Sequence, residues 1–425
     1  RRRPALPDSM AGRRLAARWV LPVTGPAIDR GAVLVGRDGR IEAVGPDAVV
    51  PRPAEVPEER FPEGILLPGL VNTHTHLELT GFDLGPPEPD FRSWIGRVRA
   101  SKDARSAEAF LAAAHRGLAD CYAAGITTVA DTGDSGSVMQ ALAEAGGSGI
   151  AYQEVFGPHP GQAAESLAVL RRRVGELCRF AGGRVRLGLS PHAPYTVSGP
   201  LYAAVAALAK DEGFPLAVHL AESPAESELF ERGTGRFADA WRERGIPLPE
   251  GPGCTPVEWL DRHGVLGERT LCIHLVQPGG ADLGRLAGQG CAVAHCPLSN
   301  SAHRHGTAPL AGFLEHGLRV GLGTDSVLSV GSLDLLAEAR AAQRLAGLDT
   351  ETALALCTLG GAAALGLESE VGSLEPGKWG DCVVLRLPSG AGGSPAERAL
   401  RGQRDDVIAT FVGGKDVYRA EPVRT

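Results

Sequence analysis

Several short apolar runs of this chain stop on the same kind of residue, and that repetition limits the fold more than any single motif does. His74-Thr75-His76 closes the run that begins Gly64-Ile-Leu-Leu-Pro-Gly-Leu-Val71. His219 ends Pro215-Leu-Ala-Val218 and is followed by Glu222, three residues on. His274 ends Leu271-Cys-Ile273, and Asp325 follows Val320-Gly-Leu-Gly-Thr324. Imidazole and carboxylate groups at the C-terminal ends of separate strands are what a (β/α)8 barrel gathers into one active site.

The spacing of the runs agrees. Eight of them, at 65–75, 127–131, 150–155, 185–190, 216–219, 270–274, 292–295 and 320–323, alternate with stretches of helical period such as 107–124 and 201–212. That count and order predict a barrel with an outer ring of helices. The two ends read differently. Residues 18–49 alternate like short strands, with Asp38-Gly39 as a hairpin turn. Residues 372–380 lead into a strand at 382–387, and 406–418 read as a hairpin turning at Gly413-Gly414. The expected architecture is α/β: a (β/α)8 TIM-like barrel over 63–367, with a small β-sandwich built from both chain termini, 1–62 and 368–425. The Gly/Ser/Pro stretch 388–395 is expected to be a flexible loop of that sandwich.

Composition narrows the partners. The chain has 425 residues, enough for a barrel and an accessory domain. With 43% hydrophobic and 22% charged residues it is an ordinary globular chain. Net charge is −7, and the arginine runs at Arg1-Arg2-Arg3 and Arg171-Arg172-Arg173 read as solvated charge, so no nucleic-acid partner is expected. The eight cysteines show no Cys-x-x-Cys and are expected to be reduced core thiols. No apolar window is long enough for a transmembrane helix, and no apolar signal segment follows the first arginines. The expectation is a cytoplasmic protein with a small-molecule substrate and no membrane partner. Whether it acts as a monomer or a homo-oligomer stays open.

Histidines at i and i+2 on an extended segment point to one side, as two ligands of one ion would. Imidazole suits Zn, Fe, Cu or Ni better than Mg or Ca. His74, His76, His219 and Asp325 would supply three nitrogens and one oxygen, with room for a water whose pKa a divalent ion lowers to about 7. Buried without a partner, each group would cost on the order of several kcal/mol. Glu222, just past its strand, can reach a substrate without ligating the ion and can carry a proton from the attacking water to a ring nitrogen or leaving group. The alternative is an acid at a helix N-terminus, since Ser223-Pro224 follows. His274 could orient the water or polarise the substrate, or serve as a supporting core residue.

Pro68-Gly-Leu-Val-Asn-Thr-His-Thr-His76, His219-Leu-Ala-Glu222, His274, Ser299-Asn300 and Gly321-Leu-Gly-Thr-Asp325 together resemble the amidohydrolase superfamily, more narrowly its mononuclear deaminase and chlorohydrolase branch. The resemblance implies one metal ion on His74, His76, His219 and Asp325, zinc first and iron as the alternative. It also implies Glu222 as proton shuttle, His274 beside the hydroxide, and Asp325 doubling as general base. Dinuclear members bridge two metals through a carboxylated lysine on a central strand. Lys102, Lys210, Lys378 and Lys415 are the only lysines here, and none lies on an expected barrel strand.

For the substrate, Gly188-Leu-Ser-Pro-His-Ala-Pro-Tyr-Thr-Val-Ser198 resembles nucleoside-type deaminases, aminodeoxyfutalosine deaminases of menaquinone biosynthesis in particular. That implies His192 faces the substrate; a histidine capping the local backbone is the alternative. In Phe91-Arg-Ser-Trp-Ile95, Trp94 reads as a lid residue able to stack on a ring, or as a core residue. Deaminases of methylthioadenosine and S-adenosylhomocysteine tend to carry an acid just before that tryptophan, where this chain has Ser93. His303 and His305 could bind a polar tail such as a carboxylate, or be exposed loop residues without a role. The expected reaction is hydrolytic deamination of an amino-substituted heteroaromatic ring, with an adenine-type nucleoside such as 6-amino-6-deoxyfutalosine first. The alternatives are methylthioadenosine or S-adenosylhomocysteine, guanine or cytosine, and triazine-type chloride hydrolysis. A catalytically silent barrel serving as a binding module is the reading from another class.

Overall fold

The computed structural model describes residues 12–88, 90–249, 253–387 and 392–421. Strands β1 (Arg13–Val20), β2 (Ile28–Val35), β3 (Ile41–Pro46) and β4 (Glu58–Pro68) come from the N-terminal part. The barrel follows as β5 (Leu70–Thr75), β6 (Ile126–Gly133), β7 (Ser148–Val155), β8 (Val185–Pro191), β9 (Leu216–Leu220), β10 (Thr270–His274), β11 (Ala292–His295) and β12 (Arg319–Leu322). These eight lie side by side in chain order, each parallel to the next. Strands β13 (Cys382–Arg386), β14 (Val407–Val412) and β15 (Lys415–Arg419) return to the first sheet.

The barrel closes between its first and last strands, at the candidate ligands. The N–H groups of Thr324 and Asp325 donate to the His74 carbonyl at 3.1 and 3.0 Å. The Asn72 amide bonds Thr324 Oγ1 at 2.8 Å and accepts from the Thr324 N–H at 3.1 Å. Gly323 permits that approach, because a Cβ there would lie 2.8 Å from His74 Cβ and 2.9 Å from its nitrogen.

Both faces of each barrel strand are covered, which is why the strands read as continuous apolar runs. Val71, Ile150, Ala217, Leu271, Ile273 and Ala294 fill the interior. Leu216, Val218, Cys272 and Val293 pack outward against the helices. The helices expected at 107–124 and 201–212 appear as Ala107–Ala123 and Gly199–Glu212.

The terminal strands form one mixed sheet in the order β15-β14-β13-β4-β1-β2-β3, with only the β1–β4 pair parallel. It curls around its own core, since Leu15, Val33, Ile41, Phe61, Val384 and Phe411 from six strands share one buried cluster. The outer edge of β3 meets the chain ahead of β13, where the Ile41 N–H donates to the Lys378 carbonyl at 2.8 Å.

Two expectations change. The single strand expected over 65–75 is two strands in two sheets, divided at Gly69. The Gly69 N–H donates to the Asp381 carbonyl at 2.9 Å, and a Cβ there would sit 2.1 Å from Thr127 Oγ1. Within the loop expected over 388–395, residues 388–391 lie outside the described residues, and Pro395 opens a helix, Pro395–Arg401, capped by Ser394 and Glu397. Among the described residues no helix is long and apolar enough to cross a membrane. All eight cysteines are free thiols, seven of them buried.

Candidate active site

Four strand ends deliver the cluster. Ala217 points into the barrel, so regular pleating puts His219, two residues on, on the same side. His274 needs a different device. Leu271 and Ile273 point inward, and unbroken pleating would send His274 outward; its left-handed φ of +70° marks the break. Ala221, Leu275 and Asp325 also take positive φ, at +49°, +47° and +57°. Such strained residues gather where surrounding structure holds a site in place.

The ring centres of His74 lie 4.7 Å from His76, 5.0 Å from His219 and 5.5 Å from His274. Oδ1 of Asp325 is 3.4 Å from His74 Nε2 and 3.3 Å from His76 Nε2. His76 Nδ1 donates to the Thr132 carbonyl at 2.8 Å, and His219 Nδ1 to the His192 carbonyl at 3.1 Å. A carbonyl only accepts, so in both rings Nδ1 carries the proton and the Nε2 lone pair is left for the site. His74 is fully buried, and neither of its ring nitrogens has a hydrogen-bond partner among the described residues.

Burial, and next the neighbouring His74, lowers the pKa of His76 to about 4. Burial also pushes His219 and His274 well down, so these rings are neutral lone-pair donors at neutral pH. Burial alone would raise Asp325, but the His74 contact and the other imidazoles hold its carboxyl well below the usual range. Neutral imidazoles and an ionised carboxylate, one ring orphaned at the centre, fit a divalent cation.

Glu222 sits beside this set and not in it. Its Oε1 is 3.6 Å from His274 Nε2, and the side chain is buried in the cavity wall. Burial, then Asp325 and Glu226, raises its pKa well above the usual value, the direction that favours a transferable proton. It does not cap the helix that follows. Ser223 caps Pro224–Arg232 through its Oγ, and Glu226 accepts the N–H groups of Ala221 and Glu222 at 2.8 and 3.0 Å. Those bonds fix the main chain and leave the Glu222 carboxyl outside the cap, where the Tyr195 hydroxyl donates to it.

A cavity of about 360 Å³ opens over the cluster. Its roof is α1 (Phe91–Asp103), in which Trp94 is buried and faces the cavity. His192 lines the wall, with Nδ1 bonded to Thr196 Oγ1 at 2.8 Å and the rest of the ring turned to the cavity. Burial lowers its pKa to about 3. Ser93 lies outside the lining, its hydroxyl donating to Asp90 Oδ2 at 2.9 Å. His303 and His305 are both buried, not exposed. His303 lines the cavity and bonds Ser329 Oγ at 2.9 Å, while His305 lies against Glu222.

A family model described as "Amidohydrolase family" matches residues 65–417. The chain belongs to the amidohydrolase family. An aminodeoxyfutalosine deaminase of Deinococcus radiodurans is 36% identical over 348 residues, covering 79% of this chain and 81% of that protein. A 5-methylthioadenosine/S-adenosylhomocysteine deaminase of Moorella thermoacetica is 30% identical over 422 residues, covering 96% and 94%. The crystal structure of a zinc-bound adenosine deaminase from Xanthomonas campestris superimposes with a TM-score of 0.80 at 25% identity, over 96% of this chain and 93% of that one.

Several residues of this amidohydrolase site were given no role by the sequence. Ser299 donates to Asp325 Oδ2 at 2.5 Å, and Asn300 Oδ1 accepts from His274 Nδ1 at 2.9 Å; they appeared only as part of a motif. Glu154, at the end of β7, is buried with Oε1 unpartnered, and lines both the main cavity and an adjoining one of about 530 Å³. Burial raises its pKa to about 8. Lys102, on α1, bonds Glu78 at 2.5 Å and pairs with Asp134, tying the roof to the turns after β5 and β6. A lone acid in an apolar strand, or a lysine on a polar helix, looks like any other.

Proposed function

We propose that this protein is a metal-dependent hydrolytic deaminase of an adenine-type nucleoside, with 6-amino-6-deoxyfutalosine as the substrate. The observation that carries the reaction type is Glu222: a buried carboxyl beside a His/Asp donor set, held free of its own helix cap. His74, His76, His219 and Asp325 would hold one ion, zinc in this reading. A bound divalent ion acidifies a coordinated water and so supplies hydroxide at neutral pH.

The chain's own residues do the rest. Glu222 delivers a proton to the ring nitrogen next to the amino-bearing carbon as water adds to that carbon. Asp325, positioned by Ser299, accepts one proton from the added water and passes it to the amino group, which departs as ammonia, while the remaining hydroxyl proton returns to Glu222 and leaves a ring carbonyl. His274, oriented by Asn300, faces the same reacting region. Trp94 stacks on the base and His192 contacts its far edge.

The substrate rests on the 36% identical relative, and one feature of the cavity supports it. The adjoining space beyond Glu154 leaves room for a large substituent on the sugar. The second reading, methylthioadenosine or S-adenosylhomocysteine, is favoured by relatives that match nearly the whole chain.

Ammonia release by zinc-loaded protein separates them. The panel is 6-amino-6-deoxyfutalosine, methylthioadenosine, S-adenosylhomocysteine, adenosine, guanine, cytosine and an aminotriazine. The expected result is a kcat/KM for aminodeoxyfutalosine at least about tenfold above the others, a difference of about 1.4 kcal/mol in transition-state binding. A preference for a thioether nucleoside would move the substrate to the second reading. Turnover of the free bases or triazine alone would overturn the nucleoside.

A further inference from the structure

His305 belongs neither to the metal-type donor set nor to the cavity lining, yet it is one of the most constrained residues near the site. It follows the helix Pro297–Ala302. Its N–H donates to the Asn300 carbonyl at 2.9 Å, and its carbonyl accepts from Gln277 Nε2 at 2.5 Å. Arg304 before it and Gly306 after it take φ of +57° and +111°, so the loop turns sharply on both sides of this one residue. The ring is 3% exposed, and Phe91 from the roof packs edge-on against it with centres 4.5 Å apart. Neither ring nitrogen has a hydrogen-bond partner among the described residues. A buried imidazole with both nitrogens unsatisfied is costly, and a phenylalanine would fill the space without that cost.

What Nδ1 does approach is Glu222. Its distance to Oε1 is 3.6 Å, and His274 Nε2 reaches the same oxygen at 3.6 Å. The two imidazoles differ in what they can offer. His274 has its Nδ1–H committed to Asn300, so its Nε2 is a lone pair and can only accept. A donor for the ionised carboxylate has to come from elsewhere: the Tyr195 hydroxyl bonds the carboxyl, and His305 is the imidazole with a free nitrogen facing Oε1.

We propose that His305 is a positioning residue: its Nδ1–H holds the Glu222 carboxylate in the orientation that faces the substrate, closing to hydrogen-bond distance when substrate is bound. The inference rests on Glu222 being the proton shuttle. When Glu222 carries its proton, the lone pair of His274 faces it. Once the proton has gone to the ring nitrogen, the N–H of His305 stabilises the carboxylate left behind. His305 keeps its own proton throughout. The shuttle therefore changes protonation state without turning its side chain.

The test uses the zinc-loaded full chain with the best nucleoside from the panel. H305F fills the space without a donor, H305N puts an amide N–H where Nδ1–H was, and H305Q puts it where Nε2 was. Metal content and thermal melting are measured for each, and the Asn/Gln pair keeps the comparison valid if H305F folds poorly. H305F and H305Q should lose kcat by about ten- to a hundredfold, the effect of one charge-assisted hydrogen bond, with KM changed less than about threefold. H305N should recover most of the loss. Added to E222Q, H305F should cost nothing more, because the two residues act as one unit. Wild-type kcat in H305F, equal losses in H305N and H305Q, or a full further loss on top of E222Q would each overturn the proposal. A fully active E222Q would remove the shuttle and this role with it, whereas an inactive E222Q beside an undisturbed H305F would remove this role alone.

Discussion

The floor and the roof of the cavity are held in different ways. On the floor, His74, His76, His219, His274 and Asp325 rise from four strand ends, and main-chain carbonyls or buried side chains fix four of the five. The roof, α1, buries only Trp94. Its N-terminal end is tied by exposed ion pairs, Arg92 with Glu243 and Arg236 with Asp90, each at 3.4 Å. Exposed pairs of that kind contribute about 0–1 kcal/mol. Phe91 packs against the buried His305 ring, and at the other end Lys102 bonds the buried Glu78. The difference suggests a division of labour in which the floor sets the reaction and the roof sets which ring is admitted.

If that division is right, changes on the floor abolish turnover and changes in the roof weaken binding. The largest effect should come from H219A, which removes one proposed ligand, a ring anchored on a main-chain carbonyl. Metal analysis should show less than one ion per chain, with ammonia release at background until excess zinc is added. An H219A protein that keeps a full ion and normal turnover would break the comparison at its base.

The roof should respond differently. W94A removes a stacking face worth about 1–3 kcal/mol per base, so KM should rise about tenfold or more while kcat stays within about threefold. A loss confined to kcat would mean that α1 takes part in the chemistry. The smallest effect belongs to R236A, which deletes one exposed ion pair. Its KM should change less than about twofold, and its melting temperature by no more than about 1–2 °C. A larger change would show that the roof is held more tightly than its contacts indicate.

The same contrast explains what the sequence disclosed. The floor was legible because its residues stand at the ends of short, doubly buried strands, where an imidazole or carboxylate interrupts an apolar run. The eight-strand barrel was legible for the same reason. The boundary at Gly69 was not, since Leu66 and Val71 are equally buried in two different sheets and hydropathy runs through without a break. The helix Pro395–Arg401 was hidden behind a Gly/Ser/Pro stretch that reads as loop. Glu154, Lys102 and the contact of His305 with Glu222 depend on residues far apart in the chain, so no local pattern announces them. The roles of Trp94 and His192 were left open between lid and core, between substrate contact and local cap; the cavity lining places both side chains at its wall.

The central claim is that a proton held on Glu222, beside a metal-binding floor, drives loss of an amine. The most direct test is ammonia release by zinc-loaded E222Q and wild type on the same nucleoside, with metal measured in both. The account predicts one ion per chain in each protein and a kcat lower by about 10²–10⁴ in the variant, the contribution of a general acid. A metal-replete E222Q that releases ammonia at close to the wild-type rate would contradict it.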